Sequence, residues 1–399
     1  MPRRYKVIFA HEEAMDAAMA AEADRDAVKV VNRKRHSIAV EEPAAQSPEA
    51  FSRSLETLER NYEARVVEDY QYELEPPEQE NVFVETAEAE EASLDDVVEA
   101  VKATKVWSRT RGAGVTIAVV DTGIDGTRPE FPATKRVGSW QPDGDTPWTD
   151  WDGHGTMCAC IAAGSKAEGG AFDGIAPDAK LIACKTRFFD SELAAIYDFL
   201  ITRAEAGEVI VATNSFGRNI GTPPAPPDNS DFIDALDDAI AAGIRVFFSA
   251  GNNHERAGGG PAACTPNSVW LHKSRADVMA VATCDLASAM WFYSSRGPGQ
   301  FHGGANTNRK PDVTAPTPRN GRVVYGAGIS TLANGWGTSG ACPQAAGLAA
   351  LVLTLDPTIS RNDLFNLIRE SASDLGHGPT CQGNGMIDCE STIEGLLVM

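Results

Sequence analysis

The stretch Val115–Val120 reads VTIAVV and runs straight into Asp121–Gly126, DTGIDG. A continuous apolar run of this length fits a strand buried on both faces, as in a parallel sheet. Similar runs recur at Lys180–Cys184, Val209–Ala212, Ile244–Ser249 and Val278–Ala282. Helical patterns lie between them at Ser191–Ala206 and Ser230–Ala242, the second closed by Gly243. This alternation predicts an α/β fold: a doubly wound, mainly parallel sheet with right-handed crossovers and helices on both faces. Ligands of such sheets bind beyond the carboxyl ends of the strands, so the residues that follow the strands carry the functional expectation.

Residues 1–75 carry a separate α+β pattern. Tyr5–Ala10 reads as a strand, Glu12–Val28 as an alanine-rich helix and Val30–Val40 as strand-like segments. Ser52–Tyr62 reads as an amphipathic helix and Arg65–Leu74 as a last alternating strand. Two helices on one face of a small antiparallel sheet are expected. Pro76–Pro77 ends this unit, residues 76–92 form an acidic linker, and Ser93–Asp96 (SLDD) resembles a capping box that opens the larger domain, 93–399.

The chain has 399 residues with 35 Lys+Arg against 56 Asp+Glu, a net charge of −21. That balance excludes nucleic acid as a partner, because phosphates need a basic footprint. Between Glu68 and Glu99 there are 13 acids and no base, and such a density of like charge keeps a linker extended. A membrane span needs roughly 18 apolar residues; the best stretch, Gly347–Leu355, is half that, so none is expected. Residues 1–18 lack both an apolar core and a small-residue cleavage site, which favours a cytoplasmic over a secreted chain. The eight cysteines include no CxxC pair, and Cys158 and Cys160 lack histidines at a zinc-ligand spacing, so no metal site is expected. Cys158, Cys160, Cys184 and Cys342 sit in apolar contexts that suit buried free thiols. Cys381 and Cys389 bracket a glycine-rich turn and could pair across it in an oxidising compartment.

Asp121 follows the first strand directly. A phosphate loop there would need a GxGxxG pattern, which is absent. An aspartic protease would need a second DTG, also absent. The remaining reading is a carboxylate that orients a histidine and stabilises its imidazolium. His154 stands in Asp152–Thr156 (DGHGT), between glycines that permit close approach of other segments. Ser339 stands in Gly337–Gly347 (GTSGACPQAAG) at the start of an apolar helix. As a helix cap it would be unremarked; as a nucleophile it requires the histidine as base.

The order Asp121, His154, Ser339 and the segments around them resemble the subtilisin-like serine peptidases, the subtilases. Ala212–Gly217 (ATNSFG), Ser249–Asn253 (SAGNN), Lys310–Pro316 (KPDVTAP) and Gly383–Cys389 (GNGMIDC) are similar to further family segments. The resemblance implies peptide hydrolysis through an acyl-enzyme, with Asp121, His154 and Ser339 as catalytic triad and Asn252 as oxyanion donor. It also implies substrate contacts at Ser215, Phe216 and Gly217 and a peptide or protein as substrate. Residues 1–75 resemble the family's inhibitory propeptide, mainly through topology and VVEDYQYELE (residues 66–75), so the chain's own N-terminal domain is an expected partner and the protein an expected zymogen. The family's cut would fall near Glu75, but Pro76–Pro77 follows, so a cut within Glu78–Ala92 is expected instead.

The sequence departs from the family in places. Gln344 stands where a histidine is usual, Cys160 replaces a small glycine, and Glu130 replaces an aspartate of the family's strong calcium site. The loop Gly164–Gly174 lacks the usual asparagine ligand. No cofactor is expected, structural calcium being the one candidate. Two alternatives share the acyl-enzyme or the fold: a peptide macrocyclase or transpeptidase, and a peptide-binding pseudoprotease.

Overall fold

The computed structural model describes residues 3–21, 26–75, 92–218, 230–260, 262–300 and 309–399. The linker and the cut expected within Glu78–Ala92 fall, Ala92 apart, outside them.

The N-terminal sheet comprises β1 (Arg4–Phe9), β2 (Val28–Asn32), β3 (Ser37–Glu41) and β4 (Ala64–Glu68), in the antiparallel order β2-β3-β1-β4. Strand alternation sorts the side chains of β1. Val7 and Phe9 meet Met15 and Ala18 of the Glu12–Ala21 helix and Phe51, Leu55 and Leu58 of the Pro48–Asn61 helix. Arg4 and Lys6 point the other way, yet are only 3% and 2% exposed. Two expectations change here. The first helix stops short of Val28, which opens β2 instead. The strand expected over Arg65–Leu74 leaves the sheet after Glu68.

The large sheet comprises β5 (Thr116–Asp121), β6 (Arg136–Trp140), β7 (Lys180–Lys185), β8 (Ile210–Asn214), β9 (Arg245–Ser249), β10 (Met279–Cys284) and β11 (Val313–Pro316). Its order is β11-β10-β9-β8-β5-β7-β6, with every neighbouring pair parallel. The winding reverses at β5, the position where such sheets bind ligands. Ile117 and Val119 face the His154–Ala163 and Gly337–Leu355 helices, and Ala118 and Val120 face the Asp190–Glu205 and Asp231–Ala241 helices. Burial on both sides is why the strand reads as an unbroken apolar run. The hairpin β12 (Gly321–Tyr325) and β13 (Gly328–Leu332) completes the described strands.

The Gly337–Leu355 helix is long and apolar enough to cross a membrane, counter to the sequence reading, but it lies buried in this core. The expected Cys381–Cys389 pairing is also wrong. Cys381 joins Cys264, 5.0 Å away between Cα atoms, while Cys389 is buried at the start of the Cys389–Leu396 helix. Cys158, Cys160, Cys184 and Cys342 are buried free thiols.

The small sheet rests its Arg4/Lys6 face on the Asp190–Glu205 and Asp231–Ala241 helices. Arg4 Nη1 donates to Glu192 Oε1 at 2.7 Å, and Arg4 Nε lies 3.0 Å from Asp69 Oδ2. Lys6 Nζ donates to Asp190 Oδ2 at 3.0 Å and lies 3.3 Å from Asp231. Burial alone would lower the Lys6 pKa, but Asp190 and Asp231 outweigh it and hold it above the usual value. Further out, Asn32 and Arg35 donate to Asp198 at 2.8 and 3.1 Å.

Candidate active site

Asp121 ends β5 with no exposed surface. Its Oδ1 accepts from the Thr122 amide at 2.7 Å and lies 2.8 Å from His154 Nδ1. His154 opens its helix, and the flanking glycine has a steric reason. A Cβ on Gly155 would strike the Gly123 carbonyl and stand 3.0 Å from Asp121 Cβ, so the helix could not start this close to the end of β5. Burial opposes a charged imidazole, yet the Asp121 carboxylate outweighs it and holds the His154 pKa well above the usual value.

Ser339 is the third residue of the Gly337–Leu355 helix and is 4% exposed. Its carbonyl accepts from Ser215 Oγ at 3.3 Å and from Cys158 Sγ at 3.5 Å. The same sulfur is 3.9 Å from His154 Nδ1, so one thiol touches both helix starts. Sequence reading overlooked this neighbour, one helical turn after the histidine. Asp121, His154 and Cys158 place three potential ligand atoms within 4.8 Å. They do not suit a metal: Nδ1 already faces Asp121, and burial, more than anything else, pushes the Cys158 thiol up, keeping it protonated.

Asn252 follows β9 and is 1% exposed. Its Oδ1 accepts from the Thr338 amide and hydroxyl at 3.0 and 2.9 Å, which leaves its amide hydrogens aimed into the site. There Nδ2 donates to the backbone carbonyl of Glu75. Residues 71–75, the last four positions of the expected strand with Glu75 after them, run between two backbone edges of the large unit. Tyr72 N donates to Phe188 O at 2.8 Å, and Glu73 and Gly217 exchange two backbone hydrogen bonds of 2.9 Å. Strand addition of this kind derives affinity from main-chain bonds and selectivity from alternate side-chain pockets.

The three residues expected at the substrate divide in role. Gly217 pairs through its backbone and Ser215 holds the Ser339 carbonyl, as above. Phe216 is fully buried and forms part of a socket around Tyr72, with ring centroids at 5.9 Å for Phe216, 5.5 Å for Phe232 and 5.2 Å for His272. Burial, first of all, depresses the His272 pKa well below its usual value, so the ring sits there neutral. Thr338, Asn253 and Lys273 also line the cleft and were missed. Lys273 stands in a short turn, LHKS (271–274), with no pattern that singles it out.

Glu130, at the candidate calcium position, has no exposed surface and is forked by Arg128 at 3.0 and 2.9 Å. Its Oε1 also accepts from the Ala171 amide at 2.8 Å. A guanidinium thus takes the place a cation would need, and these residues do not fit calcium.

The model of the subtilase family of S8 peptidases matches residues 112–385. The intracellular serine protease of Paenibacillus polymyxa is 28% identical over 304 residues, covering 73% of this chain and 83% of that protein. A calcium-dependent protease of a Nostoc species is also 28% identical over 304 residues, covering 66% of this chain but only 42% of its own length. Among solved structures, fervidolysin from Fervidobacterium pennivorans, a keratinolytic enzyme related to subtilisin, superposes with a TM-score of 0.62 at 18% identity. That likeness, one of fold, covers 99% of this chain and 61% of the other. With the family match spanning well over half of the sequence, across the very strand ends where these side chains converge, the chain belongs to the subtilase family and is a serine-type endopeptidase.

Proposed function

We propose that this peptidase is made as a latent zymogen, in which residues 1–75 inhibit the domain 93–399 through a linker over 76–92. Catalysis then runs through Asp121, His154 and Ser339. His154 takes the Ser339 proton as the hydroxyl attacks the scissile carbonyl, Asp121 holds the imidazole and stabilises its charge, and His154 then protonates the leaving amine. Asn252 and the Ser339 amide stabilise the tetrahedral oxyanion, and the helix N-terminus adds its positive end. Water releases the acyl group. This route uses no cofactor; structural calcium, suggested by the Nostoc relative's name, finds no support at Glu130.

The observation that carries the reading is the hydrogen bond from Asn252 to the Glu75 carbonyl, beside the Asp121–His154 pair. Glu75 then sits as a substrate residue would, with its carbonyl presented for attack. The bond that would break is Glu75–Pro76. Proline fixes φ and has no amide hydrogen to offer a strand-pairing groove, so this bond resists hydrolysis and the segment stays as an inhibitor.

The test is an intact-mass time course of the full chain beside Ser339→Ala, with a fluorophosphonate added to each. Slow cutting within 78–92 and label on Ser339 alone are expected. Cutting that persists in Ser339→Ala would overturn the triad. A chain that is cut within 78–92, diluted to release residues 1–75 and still never labels would be a pseudoprotease.

A further inference from the structure

We propose that the primary specificity pocket of this peptidase selects an acidic residue, glutamate above aspartate, on the acyl side of the cut bond. The inference rests on the peptidase reading above and adds its substrate class. The Glu75 side chain enters a pocket lined by Gly217, Asn253, Ser268, Trp270 and Lys273 and is 4% exposed. Every carboxylate contact is complementary. Oε2 accepts from Lys273 Nζ, and Oε1 accepts from Asn253 Nδ2 at 2.8 Å and from the Arg218 amide at 2.9 Å.

Lys273 is itself only 2% exposed, and among the described residues its ammonium pairs with Glu75 alone. A buried ammonium is costly without an anion, so the pocket holds a charge that only an acidic substrate neutralises. Two glycine walls leave room for this pair. A Cβ on Gly217 would fall on Lys273 Nζ and the Glu75 carboxylate, and one on Gly251 would stand 3.0 Å from Glu75 Oε2 and 3.3 Å from Lys273 Nζ. Aspartate, one methylene shorter, cannot reach all three donors from the same backbone position.

The experiment uses the full chain with Pro76→Ser and Pro77→Ser, which makes the bond after residue 75 cleavable, and varies residue 75 alone. The pocket stays wild-type, so folding of a pocket variant is not at issue. Self-cleavage after Glu75 should be on the order of 10²-fold faster than with Glu75→Gln or Glu75→Leu and about 10-fold faster than with Glu75→Asp. Adding Lys273→Met should reduce the Glu/Gln ratio to about one. Gln or Leu within threefold of Glu would overturn the acidic preference and leave the peptidase standing. A Glu75→Lys chain, whose cleft is opened by repulsion from Lys273, separates the remaining outcomes. If no variant cuts but a fluorophosphonate labels Ser339 in that chain, Glu75 is not the acyl residue and the inference falls. If Ser339 does not label either, the peptidase mechanism falls with it.

Discussion

The N-terminal unit grips the rest of the chain at two places that differ in kind. At the outer one, Arg4 and Lys6 bind three carboxylates on two helices, Asp190, Glu192 and Asp231, while Asp69 of the N-terminal unit itself braces Arg4. At the inner one, Tyr72–Glu75 occupy backbone edges, an aromatic socket, Lys273 and the side-chain amide of Asn252. The outer grip is unrelated to chemistry, so it can be altered without touching catalysis. The inner grip uses groups that the proposed mechanism assigns to turnover. Affinity and blockade are therefore separable by mutation.

The largest effect should separate chemistry from binding. Asp121→Asn, measured in a Glu75→Lys full chain, should lower kcat by about 10⁴-fold while docking of the N-terminal unit is unchanged. The pH profile adds a sign. His154 works as a base only when unprotonated, and Asp121 holds its pKa above the usual value. Wild-type activity should therefore rise with pH through a value above that of free imidazole, and the variant's rise should move to lower pH. A profile that does not move would remove Asp121 from that role.

Arg4→Met tests the outer grip. It strands Glu192 as a buried charge without its partner, which costs about 3–5 kcal/mol. Docking should weaken on the order of 10²–10³-fold, read as faster fluorophosphonate labelling of the full chain; an unchanged rate would make the outer grip dispensable. Asn252→Leu tests the shared group. It should lower kcat by about 10²–10³-fold with little change in KM. A rise in KM at constant kcat would make Asn252 a binding residue only.

The smallest effect concerns Asp69. Burial, only partly offset by Arg4, raises its pKa to about 6. A carboxyl whose docked pKa is raised favours docking when protonated, so its contribution is largest below the usual carboxylate range and is lost as pH climbs towards about 6. The labelling rate of the wild-type chain relative to Asp69→Asn should therefore increase from pH 4 to 6; a flat ratio would contradict the assignment. Taking the ratio cancels the titration of His154.

The parts legible in the sequence were those set by short-range pattern. A strand buried on both faces writes itself as VTIAVV (115–120), and the histidine declares its crowding through Gly153 and Gly155. Period-two alternation reports a strand but not its partner, which is why Arg65–Leu74 read as one element when its second half pairs with another part of the chain. Cys264 gave no local sign that it meets Cys381, 117 residues later. Lys273 was illegible for the same reason: a lone lysine in a turn becomes a specificity determinant only through the segments folded around it.

The Pro76–Pro77 pair that follows Glu75 in the sequence also bears on how, on the zymogen reading, activity would switch on. As long as the chain is uncut, Tyr72–Glu75 stay covalently joined to the unit whose groove they occupy, so their docking is intramolecular and runs at a high effective concentration. A cut downstream of the prolines severs the tether but leaves every contact of both grips intact. Release then becomes an ordinary bimolecular dissociation, governed by mass action. The onset of activity should depend on total protein concentration, with a concentrated store remaining silent after cutting and the same molecules waking on dilution.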